Sequence, residues 1–194
     1  NNTTYTQSSL ANGTTYYYVV SATNLGGTSS NSSQASATPV STPIIDPWVD
    51  NDIGGVAQPG SSTYSAGSYT LNGSGTGIAG TSDGFDYTYQ PLVGNGTIIA
   101  RITSQTGGES GVMIRETLAG NARFVDMLLL QSVGAVFQDR TAIGGSATTG
   151  ATVSSTITPY WVKLARVGNM FTGYISPNGV TWTQVGTITD SMAS

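Results

Sequence analysis

Apolar and polar positions along this chain alternate with a two-residue rhythm, in bursts too short for helices. Residues 14–22 (Thr-Thr-Tyr-Tyr-Tyr-Val-Val-Ser-Ala) are rich in aromatic and β-branched side chains. They predict a strand with Tyr16, Tyr18, Val20 and Ala22 on one face. Asn24-Leu-Gly-Gly27 then predicts a turn into a weaker, polar strand over 30–37. Beyond this, strand patterns cover 68–72, 84–90, 96–103, 111–116, 123–131, 134–140, 160–167, 170–176 and 181–188, with Gly, Asn and Ser between them. Gly168-Asn169 has the two-residue turn chemistry of a tight hairpin, and Pro177-Asn178-Gly179 closes the next one, so 160–188 should form a three-stranded meander. Short strands joined by turn residues, without a long amphipathic stretch, indicate an antiparallel sandwich.

The rhythm is interrupted once, at Ser36-Ala-Thr-Pro-Val-Ser-Thr-Pro43, where Pro39, Pro43 and Pro47 favour an extended linker over a hydrogen-bonded ladder. This divides the chain into an N-terminal block over 1–39, a Pro-rich linker over 40–47 and a second block over 48–194.

Each block carries a resemblance. Leu10-Ala-Asn-Gly-Thr-Thr-Tyr16 resembles the Leu-x-x-Gly-Thr-x-Tyr corner of bacterial fibronectin type III modules. The likeness makes Tyr16 the corner tyrosine, whose hydroxyl bonds back to the preceding loop, with Thr4-Tyr5-Thr6 as the strand before it. It covers only the last three strands of such a module, and three strands bury one face against nothing, so the block is not an independent sandwich. The second block resembles the concanavalin A-like, laminin-G-like jelly-roll modules of large secreted bacterial proteins. The residues that carry this likeness are Trp48 with Asp52-Ile-Gly54, residues 80–92, 96–102, 111–116 and 160–166, and Ser176-Pro-Asn-Gly-Val-Thr-Trp-Thr183. Such modules continue past the equivalent of Ser191-Met-Ala193 into a closing strand. The expected architecture is therefore all-β, an antiparallel jelly-roll sandwich preceded by a partial fibronectin type III sandwich. The expected origin is a fragment or processed piece of something longer.

Composition agrees with the strands and removes most chemistry. Thr, Ser, Gly and Asn make up 90 of the 194 residues, and only 8% of side chains are charged. With no Cys and no His, thiol catalysis, disulfides, Cys/His zinc sites and a Ser-His-Asp triad are excluded. Six scattered basic residues and a net charge of −4 leave no patch for a phosphate backbone, so nucleic acid is not expected as a partner. Apolar runs reach about five residues, far short of the roughly 20 that a membrane-crossing helix needs, so no membrane insertion is expected. A Thr/Ser/Gly/Asn-rich, acidic, Cys-free chain fits an extracellular or cell-surface location.

The remaining chemistry lies in carboxylates and rings. The chain has two Glu, at 109 and 116, and no closely spaced acid pair of the kind that retaining glycoside hydrolysis uses, so an enzyme is not expected. A calcium site needs only oxygen ligands from turns, and jelly rolls of the resembled class often hold one. Asp50, Asp52 and Asp83 are its candidates, with Asp46 as a further one; the alternative is that these residues simply form turns. In Phe85-Asp-Tyr-Thr-Tyr89 the rings share one face and Asp86, Thr88 and Gln90 the other. The ring face is read as core, and the polar face, with Asp86, Gln90 and Arg101, as the place for a ligand. Tyr64 and Tyr69 are candidate stacking rings for a sugar. Trp182, beside the Asn-Gly turn, is read as a hairpin lock. These features predict a non-catalytic module that binds a polysaccharide or other glycan. The alternative is a structural subunit that self-associates through open sheet edges, with 3–38 as the donated strands.

Overall fold

A computed structural model describes residues 7, 10–11, 14–24, 26–38 and 48–193, and the chain divides into two compact units, Asn1–Pro47 and Trp48–Ser194. The division lies between Pro47 and Trp48, after the stretch 40–47 expected as a linker. That linker, the strand expected at Thr4-Tyr5-Thr6 and the candidate ligand Asp46 lie outside the described residues.

In the first unit, β1 (Tyr16–Tyr18) pairs with β4 (Ala35–Ala37), and β2 (Thr23–Asn24) pairs with β3 (Gly27–Thr28). The single strand expected over 14–22 is thus only three residues long. Tyr16 and Tyr18 are half-buried and Tyr17 between them is exposed, as the alternation requires. The Tyr16 hydroxyl accepts a hydrogen bond from the Ala11 N–H at 3.0 Å, in the loop just before it.

The second unit carries twelve strands: β5 (Val49–Ile53), β6 (Ser61–Ser65), β7 (Ser68–Asn72), β8 (Phe85–Tyr89), β9 (Gly96–Ile102), β10 (Glu109–Arg115), β11 (Phe124–Leu130), β12 (Gly134–Arg140), β13 (Thr148–Ser154), β14 (Tyr160–Val167), β15 (Met170–Ser176) and β16 (Thr183–Thr189). They pair antiparallel throughout, as a central sheet ordered β10-β11-β12-β13, an outer sheet ordered β16-β15-β14-β9, and the pairs β5-β8 and β6-β7. The chain is all-β, and the described residues contain no helix.

Alternation explains why the central sheet sits in the middle. Val112, Ile114, Val125, Met127, Leu129 and Phe137 point one way and pack on Val162, Leu164, Phe171 and Ile175 of the outer sheet. Met113, Phe124 and Leu128, at the intervening positions, point the other way and pack with Ile78, Phe85 and Tyr87. With both faces covered, β11 and β12 are buried along almost their whole length; β11 reads as a near-continuous apolar run, while β12 ends on Gln138-Asp139-Arg140.

The sandwich closes around Phe137. A Cβ at Gly173 would lie 2.5 Å from its ring, and one at Gly186 would collide with it as well, so two glycines on neighbouring strands of the outer sheet form the socket for one central-sheet ring. The hairpin between β14 and β15 turns through Gly168-Asn169, with Gly168 at φ +58°, the left-handed conformation that glycine adopts without a Cβ penalty. At the next turn the hairpin lock is Trp161 rather than Trp182, since a Cβ at Gly179 would meet the Trp161 ring at 2.9 Å. The Asn178 Oδ1 accepts from the Val180 and Thr181 amides, both at 2.9 Å, completing that turn. Residues 190–193 do not lead away from the sheet. Met192 is buried in the first core cluster, and its carbonyl accepts from Arg166 Nη2 at 2.5 Å.

Candidate functional site

The site builds up from the register of two strands. Asp50 and Asp52, at every second position of β5, project from one face, and Trp48 precedes them at the same spacing. β8 pairs alongside with Asp50 opposite Thr88 and Asp52 opposite Asp86, which adds Asp86, Thr88 and, just past the strand, Gln90 to that face. Phe85 and Tyr87 occupy the opposite face and pack into the second core cluster, where the Tyr87 hydroxyl donates to the Met113 carbonyl at 3.1 Å. The rings of Phe85 and Tyr87 are therefore core, and on the polar side of this strand pair Asp50 and Gln90 are exposed.

The β6-β7 hairpin lies beside this polar face. Tyr64 and Tyr69 are directly opposite in register, their rings 4.8 Å apart, and each is 39% exposed. Trp48 meets Tyr69 edge-on at 6.3 Å. Cross-strand aromatic pairs hold each other's rotamers, so the two tyrosines present a fixed ring surface to solvent. Asp50 accepts from the Thr88 hydroxyl at 3.2 Å, and Asp52 accepts from the Gly60 amide at 3.0 Å, which ties the start of the hairpin to β5.

Asp86 is placed differently from its expected role as a ligand contact. Gly60 and Gly73, which flank the hairpin, press on its side chain so closely that a Cβ on either would collide with it. Both Asp86 carboxylate oxygens are shut off from solvent, so no ligand can touch them. Burial, followed by the Asp50 and Asp52 charges, pushes its pKa from the ordinary 3.8 up to about 6. No Lys or Arg occurs between Trp48 and Ala100 to offset this. Because the folded state holds the proton more tightly, this group stabilises the fold below about pH 4, and that contribution is lost as pH rises through about 6. Thermal midpoints measured from pH 4 to pH 7 should fall over the lower part of that range, and Asp86→Asn should flatten the fall. An unchanged slope in the variant would refute the assignment.

Asp83 does not join Asp50 and Asp52. Its carboxylate is fully buried and grips Arg140, with Oδ1 2.6 Å from Nη2 and Oδ2 2.9 Å from Nη1, while Arg115 Nη1 approaches Oδ2 at 3.4 Å. Two guanidinium groups occupy the oxygens that a cation would need, so the calcium trio of Asp50, Asp52 and Asp83 does not form. Among the described residues no three acidic groups come together as metal ligands. Arg140 donates further to the carbonyls of Gly120, Ala122 and Gly80 at 3.0 to 3.2 Å, and lies 4.9 Å over the Phe124 ring. Arg115 donates to the Thr117 and Ala119 carbonyls at 2.7 and 2.6 Å.

Two more acids are internal. Asp126 is fully buried, accepts from Gln138 Nε2 at 3.2 Å, and burial pushes its pKa well up. Glu109 accepts from the Ile78 amide at 2.5 Å, and burial raises its pKa too. Sequence reasoning missed this polar layer between the central sheet and the 77–84 segment. The available signal was the charged and amide side chains of Asp126, Gln138 and Arg140 inside otherwise apolar strands. An open depression of 590 Å³ lined by Gln131, Ser132, Val133, Gly134, Ser154, Ser155 and Ile157 contains no ionisable group.

Arg101 is on the outer sheet, opposite Trp161 in register, on the far side of the central sheet from Asp86. Of the sequence-proposed ligand residues, Tyr64, Tyr69 and Gln90 thus share a neighbourhood with Asp50 and Asp52, Asp86 is sealed beneath it, and Arg101 lies elsewhere. Compared with protein-family models, curated proteins and solved structures, the chain matches none of them.

Proposed function

We propose that this chain is a non-catalytic binding module of an extracellular or surface protein, and that it holds a glycan on the polar face of β5-β8 beside Tyr64 and Tyr69. The observation that carries this reading is the half-exposed Tyr64–Tyr69 ring pair, which meets Trp48 at the start of the strand that carries the exposed Asp50. Rings stack on the apolar faces of sugars, and neighbouring carboxylate and amide groups bond their hydroxyls. A non-catalytic role is supported by the placement of the acids. Asp86 and Asp126, which hold their protons most firmly, have no route to solvent, and Asp83 is committed to two arginines. The Tyr16 hydroxyl bond and the antiparallel sandwich support the fibronectin-like and concanavalin A-like likenesses of the two blocks.

Retardation in native gels cast with neutral soluble polysaccharides tests this reading. A polymer that slows the intact chain should lose most of that effect with Tyr64→Ala or Tyr69→Ala in variants that still unfold cooperatively. Equal retardation of wild type and variants would overturn it. The alternative, a structural subunit, draws support from the exposure of Tyr17, Val19 and Val20 in the first unit, at 65%, 49% and 72%. A concentration-independent monomer mass in sedimentation would remove it.

A further inference from the structure

The six basic residues divide into two groups by what they touch. Arg115 and Arg140 share Asp83, Arg123 pairs with Asp190 and Glu116, and Arg166 points inward to the carbonyls of Gly168 and Met192. The remaining two, Arg101 and Lys163, have no carboxylate partner among the described residues, and both project from the same solvent face of the outer sheet. Their strand neighbours Ala100, Ile102, Val162 and Leu164 point into the core, which fixes the outward direction of the intervening positions. Arg101 is opposite Trp161, and Lys163 is two residues further along the same strand, so the two cations are diagonal neighbours.

Two rings flank Lys163. The Lys163 ammonium is 4.1 Å from the Tyr174 ring centre and 4.3 Å from that of Trp182, and Gln184 is opposite Tyr174 in register. A ring face attracts an ammonium, so the two rings hold Lys163 in place. None of the four strands of this sheet contains an Asp or Glu, in a protein whose net charge is −4. The unbalanced positive charge of the chain is thus concentrated on one aromatic sheet face.

We propose that this face is a second binding surface, for an acidic polysaccharide of uronate type. An arginine fork fits a carboxylate with two parallel bonds, an ammonium adds a point charge, and Trp182 and Tyr174 supply ring surface for the sugar. Two cations match the sparse single charges of a polyuronate; a heavily sulfated chain or a nucleic-acid backbone needs many more to be held. This surface is independent of the face around Tyr64 and stands whether or not that face binds a glycan.

The test uses the intact chain and calorimetric titration with oligogalacturonate, against neutral oligogalactose of the same length. Oligogalacturonate should bind and weaken as salt is raised, and the neutral oligomer should bind at least tenfold more weakly. Arg101→Gln and Trp182→Ala should each weaken oligogalacturonate at least fivefold. Arg101 has no ion-pair partner among the described residues, so its variant should keep the wild-type thermal midpoint, and Tyr64→Ala should leave oligogalacturonate binding intact. Failure of oligogalacturonate to bind, salt-independent binding, or binding unchanged in Arg101→Gln overturns the proposal. So does tighter binding of heparin or single-stranded DNA than of oligogalacturonate.

Discussion

Arg140→Met is expected to destabilise the fold by about 3–5 kcal/mol, the range for breaking one side of a buried ion pair. The reason is geometric. The Arg140 side chain is fully buried, and its two Nη atoms serve both Asp83 oxygens and the carbonyls of Gly120, Ala122 and Gly80. Removing it leaves Asp83 with Arg115 alone, at 3.4 Å, and takes the guanidinium donor from the carbonyl of the buried Ala122. A domain of this kind is stable by only about 5–15 kcal/mol, so the variant should unfold at a much lower urea concentration, with the slope of the transition retained. Asp83→Asn should be costly too, because it leaves two guanidinium groups facing each other without an anion. If either variant unfolds at the wild-type midpoint, the cluster is not holding the 77–84 segment to the central sheet.

Phe137→Ala should cost a similar amount, about 3–5 kcal/mol, through lost burial and the cavity left between the sheets. Its ring is the central-sheet element that fills the socket at Gly173 and Gly186. The socket supplies an internal check. Gly173→Ala alone should cost about 1–3 kcal/mol, because the new methyl group meets the Phe137 ring and the Met127 sulfur. In the Phe137→Ala background the ring is gone and the same methyl group partly fills the cavity, so its cost should shrink or change sign. Additive effects in urea titrations of the single and double variants would show that the ring and the glycine do not share a site.

The strands that the sequence predicts best are those whose alternation is undisturbed. The expected bounds of 68–72, 134–140, 160–167 and 170–176 coincide with β7, β12, β14 and β15, and those of β8, β9, β10, β11 and β16 differ by at most two residues. The strands it misses, β5, β6 and β13, read Val-Asp-Asn-Asp-Ile, Ser-Ser-Thr-Tyr-Ser and Thr-Thr-Gly-Ala-Thr-Val-Ser. Their residues are ordinary turn formers or carry little apolar contrast, and it is pairing with β8, β7 and β12 that makes them strands.

The site follows the same division. Rings inward and polar groups outward on 85–89 were legible, because side chains of a strand alternate whatever it packs against. Which carboxylates meet was not. Asp83 and Asp86 are three residues apart, yet Asp83 meets arginines that follow 32 and 57 residues later, while Asp86 meets aspartates on β5.

By itself the sequence determined the class of structure and the chemistry open to it. Its two-residue rhythm and turn residues require antiparallel strands, and the lack of His and Cys removes whole families of reactions. Only the tertiary structure decided which acids are paired, which are sealed from water, and which face carries the unbalanced positive charge. Those outcomes depend on contacts between residues far apart in the chain, and a local pattern cannot encode which distant partner arrives at a given face.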